Sequence, residues 1–150
     1  MFKFKGFINS GATAPTIQRV MIDEDNSYLE KIAPGVALTS ESNGAIVPCS
    51  KSDRPLYICL DLHRETDGSY CMLYYSVTDD MILEAPLVID SEYDDIIHIV
   101  PTVFIDEING SSGVRMSTSE THRTGVIAEH PHITDYSKTY TVLVRFPGNL

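Results

Sequence analysis

The stretch that decides the fold of this 150-residue chain is Ala33-Pro34-Gly35-Val36-Ala37-Leu38-Thr39-Ser40-Glu41-Ser42-Asn43-Gly44-Ala45-Ile46-Val47-Pro48-Cys49. It contains two short apolar runs separated by the polar residues 40–44. Apolar runs on either side of a Ser/Glu/Asn/Gly turn are typical of a β-hairpin. Nothing in the stretch resembles a catalytic motif, so it informs on architecture.

The same alternation of apolar run and turn recurs along the whole chain. No window keeps a helical period for more than two turns, and strand-like segments follow one another about every ten residues. We therefore predict an all-β fold: a compact small β-barrel or β-sandwich of about eight to ten short antiparallel strands with an extended N-terminal arm. Besides the hairpin, the predicted strands are residues 16–22, 56–62, 70–77, 81–89, 96–100, 102–105, 114–117, 125–128 and 139–146.

Three of these segments carry more specific predictions. The continuous apolar centre of residues 56–62 indicates burial on both faces, and the pair Asp67-Gly68 predicts a hairpin joining this strand to 70–77. Period two in the last segment puts Tyr140, Val142, Val144 and Phe146 on one face. Pro86 cannot donate a ladder hydrogen bond, so residues 81–89 are predicted to form an edge strand or to bend at the proline.

Residues 1–15 form the predicted arm, and residues 16–150 the single barrel or sandwich domain. Three phenylalanines among small residues favour either docking on a neighbouring molecule or a strand paired within the chain's own domain. The docking alternative gives the candidate partner-binding residues, which are Phe2, Lys3, Phe4, Lys5, Phe7, Ile8 and Tyr74.

Charge restricts the partners of the chain. The formal net charge is −10, and the sequence has no Lys or Arg between Arg64 and Arg115. Such a surface repels phosphates, so we predict no nucleic-acid partner. No apolar window is long enough to span a bilayer and no signal peptide is visible, which predicts synthesis in the cytoplasm and no membrane partner. An odd number of cysteines, Cys49, Cys59 and Cys71, predicts reduced and mostly buried thiols.

Two groups of residues are candidates for chemistry. His122, His130, His132 and Asp135 have ligand types suited to zinc, but they fall in a loop where polar histidines need no metal, so we predict no metal or cofactor. Residues 63–67 bring a histidine, an arginine and two carboxylates to a hairpin tip, which we interpret as a solvated turn. No nucleophile elbow or phosphate loop is present, and we predict that the chain is not an enzyme.

The tyrosines leave two interpretations open. Tyr70, Met72 and Tyr74 share one face of their strand, and Cys71, Leu73 and Tyr75 share the other. These side chains form either a core with hydroxyls at its rim or an interface that uses tyrosine anchors. A small ligand-binding barrel lined by Tyr57, Tyr74 and Tyr75 is an alternative of a different class.

Several segments resemble head-decoration proteins of tailed bacteriophages. Residues 32–38 and 44–49, followed by 56–62, are similar to the opening of those small β proteins, with a proline-glycine turn, an apolar strand and a short polar turn. Residues 113–116, 125–128 and 141–146, ending in Val-Arg-Phe, look like the end of a phage small-barrel domain. The resemblance covers about residues 30–146 and transfers no catalytic residue.

The resemblance implies a non-enzymatic cement protein. Such a protein is made in the host cytoplasm and binds the capsid surface of the virion, where its partners are the major capsid protein and other copies of itself, as a homotrimer. A tail or connector component is the alternative within the same class. Repeated copies make a modest single contact effective through avidity.

Overall fold

The structure, a computed structural model, describes residues 1–9, 11–88, 102–117, 122–129 and 139–148. These residues contain one 3₁₀ turn at Leu29–Lys31 and eleven strands, so the predicted all-β class is confirmed. No helix within these ranges is long and apolar enough to cross a membrane. The predicted strand at 96–100 lies outside the described residues. The strands are β1 Lys3–Phe7, β2 Gln18–Ile22, β3 Ala37–Ser40, β4 Ile46–Pro48, β5 Tyr57–Arg64, β6 Tyr70–Ser76, β7 Met81–Val88, β8 Thr102–Ile108, β9 Ser111–Met116, β10 Gly125–Glu129 and β11 Thr139–Arg145.

Five strands close into a barrel in the order β7-β11-β10-β8-β9, because β9 also pairs with β7. That closing pair is parallel, with Leu87 opposite Val114, whereas the other pairings of the described strands are antiparallel. Alternate residues of β7 point inward and are buried. Five strands leave room only for side chains, so the barrel interior is a packed core.

Strand β7 is not an edge strand, which corrects that part of the prediction made from Pro86. On one side β7 pairs with β11, with Pro86 opposite Thr141. On the other side β1 pairs with residues up to Glu84, and β9 pairs from Leu87 onward. Pro86 therefore lies in the gap between two partners, where no strand requires the hydrogen-bond donor that proline lacks.

The second sheet is open and has the order β2-β6-β5-β3-β4. It contains both hairpins expected from turn chemistry: β3 with β4 around Gly44, and β5 with β6 around Gly68. Both glycines have positive φ, at 85° and 91°, which L side chains adopt at a cost. Strand β5 lies centrally and buries Ile58 on one face and Cys59 on the other, as its apolar run predicted.

One face of this second sheet packs on the barrel. Ala37, Ile58 and Tyr75 belong to the same buried cluster as the barrel interior, together with Phe2 and Phe146. The face predicted for the last strand is confirmed, since Val142, Val144 and Phe146 are all buried and Tyr140 packs partly buried against them. The opposite face of the second sheet has its own core, covered by the segment that follows β2. That smaller cluster consists of Ile22, Ile32, Val36, Leu38, Cys59 and Met72.

The N-terminal segment adopts the second of its two predicted alternatives, a strand of the chain's own sheet. Strand β1 pairs antiparallel with β7, and the Phe2 N–H donates to the Gly35 carbonyl at 2.8 Å. Phe2 is 2% exposed and its ring lies 5.8 Å from that of Phe146. Burial of this ring attaches the N-terminal segment to the barrel core.

Candidate functional site

An apolar groove opens where the N-terminal segment crosses the second sheet. Its volume is about 360 Å³, and among the described residues that line it Lys3 is the only one with a charged side chain. Large apolar side chains remain accessible along it: Ile17 is 61% exposed, Met1 47% and Leu60 38%. The groove lies on the molecule's surface, so these side chains are available to a partner.

A β-bulge helps to expose Leu60. The register of β5 against β6 shifts between Cys59 and Asp61, which leaves Leu60 outside the regular alternation. Gly35 forms another part of the groove wall with φ of 82°. A side chain at Gly35 would collide with the Met1 side chain, so glycine allows the N-terminal segment to approach closely.

The groove contrasts with a second depression, which is lined by residues of β2 and of the β3–β4 turn. That depression has a volume of about 520 Å³ and its lining includes Asp23, Asp25 and Glu41. None of the described residues that line the apolar groove is acidic, although the chain has a net charge of −10. The protein thus separates an apolar surface from a strongly acidic one.

The phenylalanines among the predicted partner residues pack largely within the chain's own core. Phe2 is buried, and Phe4 and Phe7 pack partly buried against the barrel core, 5.0 Å apart between ring centroids. Phe2 and Phe4 also line the apolar groove, so their rings belong to both the core and the wall of that surface. Lys5, another predicted partner residue in β1, forms an ion pair with Glu84 at 3.0 Å.

The other predicted partner residues have different positions. Lys3 and Ile8 are exposed, and Ile8 donates its N–H to the Asp80 carbonyl at 2.9 Å. Tyr74 is partly buried and contacts Tyr57 edge-on, with ring centroids 5.1 Å apart. Tyr74 therefore contributes to the smaller core. This position agrees with the interpretation of the tyrosines as core residues and not as interface anchors.

The three tyrosines proposed to line a ligand cavity do not converge. Tyr57 and Tyr74 pack against the smaller core, whereas Tyr75 enters the barrel-side core on the opposite face of the sheet. Tyr75 is 1% exposed, and burial raises its pKa to about 12. A cavity lined by all three is incompatible with this arrangement.

Only one of the four predicted metal candidates falls in the described part of the chain. The His122 ring lies 5.5 Å from that of Phe104, and its buried Nδ1 has no hydrogen-bond partner among the described residues. His130, His132 and Asp135 lie outside the described residues.

A polar cluster occupies the end of the β5–β6 hairpin. The register places His63 opposite Cys71, so their side chains share a face. His63 Nδ1 lies 3.0 Å from Asp61 Oδ2, and His63 Nε2 lies 3.2 Å from Glu65 Oε1. Arg19 on the neighbouring strand β2 donates from Nη2 to Glu65 at 2.9 Å and from Nε to Cys71 Sγ at 3.0 Å. Asp61, His63, Glu65, Arg19 and Cys71 are thus linked by these contacts into one cluster. A simple solvated turn would leave such side chains separate.

The three thiols are free and largely buried, as predicted. Burial raises the pKa of Cys59 to about 11, and it raises that of Cys49 further, with Asp53 adding to the effect. Both thiols are therefore protonated near neutral pH and poor nucleophiles.

Comparison with protein-family models, with curated proteins and with solved structures gives no match to this chain. The functional argument therefore depends on the geometry of the described residues.

Phe2, Lys3 and Phe4 line the groove and were among the predicted partner residues, whereas Ile17, Leu60 and Met1 were not. Leu60 lies within a continuous apolar run, whose pattern gives no sign of the bulge. Ile17 precedes a strand of mixed polarity and carries no motif.

Proposed function

We propose that this chain is a non-enzymatic structural protein of a tailed-bacteriophage virion, a decoration protein that binds the capsid surface through the apolar groove. The observation that carries the proposal is the groove itself, with Ile17, Leu60 and Met1 accessible and no acidic residue among the described residues of its lining. Clustered exposed apolar side chains are typical of protein-binding surfaces.

The occupant of the groove is a segment of the major capsid protein. Its expected chemistry is apolar, with an acidic group near Lys3, the one charged side chain among the described residues of the lining. The acidic remainder of the surface then faces water and keeps decorated particles apart through like-charge repulsion. Each contact is small, and many copies on one capsid supply avidity.

The packed barrel supports a structural role over a ligand-binding one. Interior residues of the described barrel strands fill the space between them, and the candidate lining tyrosines lie on opposite faces of the second sheet. The barrel thus acts as a rigid support for the surface next to it.

Co-sedimentation with capsids encoded by the same genome tests the proposal. We expect saturable binding of the purified protein to capsids that lack it. If the binding site spans neighbouring capsid subunits, the isolated, unassembled subunit should not bind. A second copy of this chain is the alternative occupant of the groove. Light scattering of the free protein at several concentrations detects such self-association. Concentration-dependent assembly without capsid binding would contradict the proposal and assign the groove to self-association.

A further inference from the structure

We propose that Cys71, His63 and Glu65 form a binding site for one zinc-class divalent ion at the end of the β5–β6 hairpin. One ligand atom from each residue is available, and these three atoms lie within 4.8 Å of one another. The strand register opposes His63 and Cys71, and Glu65 follows two residues later at the turn. The backbone thus fixes the relative positions of the ligands before any ion binds.

The donor set selects the type of metal. A thiolate, an imidazole and a carboxylate match zinc and similar transition-metal ions, whereas magnesium and calcium prefer oxygen ligands alone. Two ligands of a tetrahedral zinc ion lie about 3.3 Å apart. The observed separation of His63 Nε2 and Glu65 Oε1 is 3.2 Å. These two ligands therefore already have the spacing of a zinc site.

The contact of His63 Nδ1 with Asp61, which is not one of the three proposed ligands, is a second observation. Carboxylate oxygens face both of its ring nitrogens, Asp61 at Nδ1 and Glu65 at Nε2. An imidazolium donates to both carboxylates, whereas a neutral imidazole has one N–H and donates to only one. In the neutral tautomer with Nδ1–H directed at Asp61, the Nε2 lone pair faces Glu65, and a cation between these two atoms removes their repulsion. A carboxylate on the far nitrogen is the usual partner of a metal-bound histidine.

Arg19 occupies the entrance to this site. Its guanidinium donates to Cys71 Sγ and to Glu65 Oε1, and thus bridges two of the three ligands as a cation would. The side chain is 63% exposed, so it can withdraw into solvent. Metal binding then replaces both hydrogen bonds and releases the Cys71 thiol proton to water, leaving a fourth coordination position open on the exposed side.

Titration of the full chain with Co²⁺ tests the site. We expect one equivalent to bind and to produce the near-ultraviolet charge-transfer absorption of a cobalt thiolate, and Zn²⁺ to displace the cobalt. Zn²⁺ should also raise the Tm of the protein, because it binds the folded state. Absence of both the absorption and the Tm shift would overturn the proposal.

Variants separate the proposed ligands from the other thiols. Cys49→Ser is the matched control and should leave the cobalt absorption intact, since Cys49 is outside the cluster. His63→Gln changes an exposed ligand and should weaken binding at least tenfold, and Asp61→Asn about tenfold to a hundredfold. Arg19→Gln should strengthen binding by removing the competing cation. Because Cys71→Ser alters a buried residue, the exposed His63 variant decides: unchanged affinity in His63→Gln would overturn the assignment.

Discussion

At the scale of single residues, the side chain of Phe2 connects the N-terminal segment to the barrel core. Its ring is 2% exposed and contacts Phe146 edge-on, next to the end of the last strand. An aromatic ring in this position contributes to folding both through buried area and through ring geometry. The N-terminal segment is thus part of the folded unit.

Phe2→Ala should lower the free energy of unfolding by about 3–5 kcal/mol, because it leaves a cavity against the barrel core. Urea denaturation followed by circular dichroism measures this change. Lys3→Ala, at the exposed neighbouring position, is the control and should change stability little. Equal, small effects of both substitutions would mean that the segment does not pack as described.

The buried Tyr75 makes the stability of the folded protein fall as the pH becomes alkaline. Burial raises its pKa to about 12, above the ordinary value of 10.0, and raises that of Cys59 to about 11 from 9.0. The unfolded chain therefore loses these protons first as the pH rises. Since the unfolded state then binds fewer protons than the folded state, stability is fully present below about pH 9 and falls between about pH 9 and 12.

Tyr75→Phe should make this alkaline loss less steep between about pH 10 and 12. At neutral pH the variant should be as stable as the parent or more stable by up to about 1 kcal/mol, because the buried hydroxyl has no hydrogen-bond partner among the described residues. Thermal unfolding measured at a series of pH values tests both effects. A marked loss of stability at pH 7 would show that the hydroxyl makes a stabilising hydrogen bond.

At the scale of elements, the parallel pairing of β7 with β9 closes the barrel. Gly113 in β9 lies against Pro86 in β7, and a Cβ added to Gly113 would lie 2.9 Å from the Pro86 carbonyl oxygen and 2.6 Å from Ile108 Cδ1. The small residue permits the close approach of the two strands next to the proline. Closure thus depends on a residue pair far apart in sequence.

Gly113→Ala should therefore destabilise the protein by about 1–3 kcal/mol through steric overlap. Gly6→Ala is a matched control within another strand, because an added Cβ there meets nothing within 4 Å. Chemical denaturation of both variants provides the comparison. If Gly113→Ala were no more destabilising than Gly6→Ala, the described contact between β7 and β9 would be incorrect.

Neighbouring residues in the sequence predicted the individual strands and hairpins. The place of a strand within its sheet depends instead on pairing with strands that are distant in sequence. Both hairpins follow from turn residues that lie between their own strands, so the sequence contains the whole signal. The position of β7 depends on β1 and β9, which are far apart in sequence and pair with β7 on either side of Pro86. A proline shows only that one N–H is missing, and therefore it does not distinguish an edge from a gap between two partners.

The polar cluster illustrates the same limit at the level of register. A two-residue turn centred on Asp67-Gly68 would have placed Cys71 opposite Arg64. The observed turn is longer, closed by the Glu65 N–H donating to the Ser69 carbonyl at 2.7 Å, and it places Cys71 opposite His63 instead. A shift of one residue changes which side chains share a face, so turn length determines whether the cluster forms.

At the scale of the whole molecule, the groove combines segments that the sequence keeps apart. Ile17 precedes β2, Leu60 lies at the bulge of β5, and Met1 lies beside Gly35. The overall acidity was evident from composition, but its separation from an apolar surface depends on the fold. The groove could not be predicted because no single segment contains its pattern.

Capsid binding by two aspartate variants is the measurement that tests the proposed groove most directly. Ile17→Asp places a charge in the groove, whereas Met21→Asp places the same charge at an apolar residue that is 49% exposed and outside it. We predict that Ile17→Asp weakens co-sedimentation with capsids at least tenfold, a loss of about 1.4 kcal/mol or more, while Met21→Asp and the parent bind equally and all three unfold at the same temperature. Equal capsid binding by both variants, or none by the parent, would contradict the proposed function.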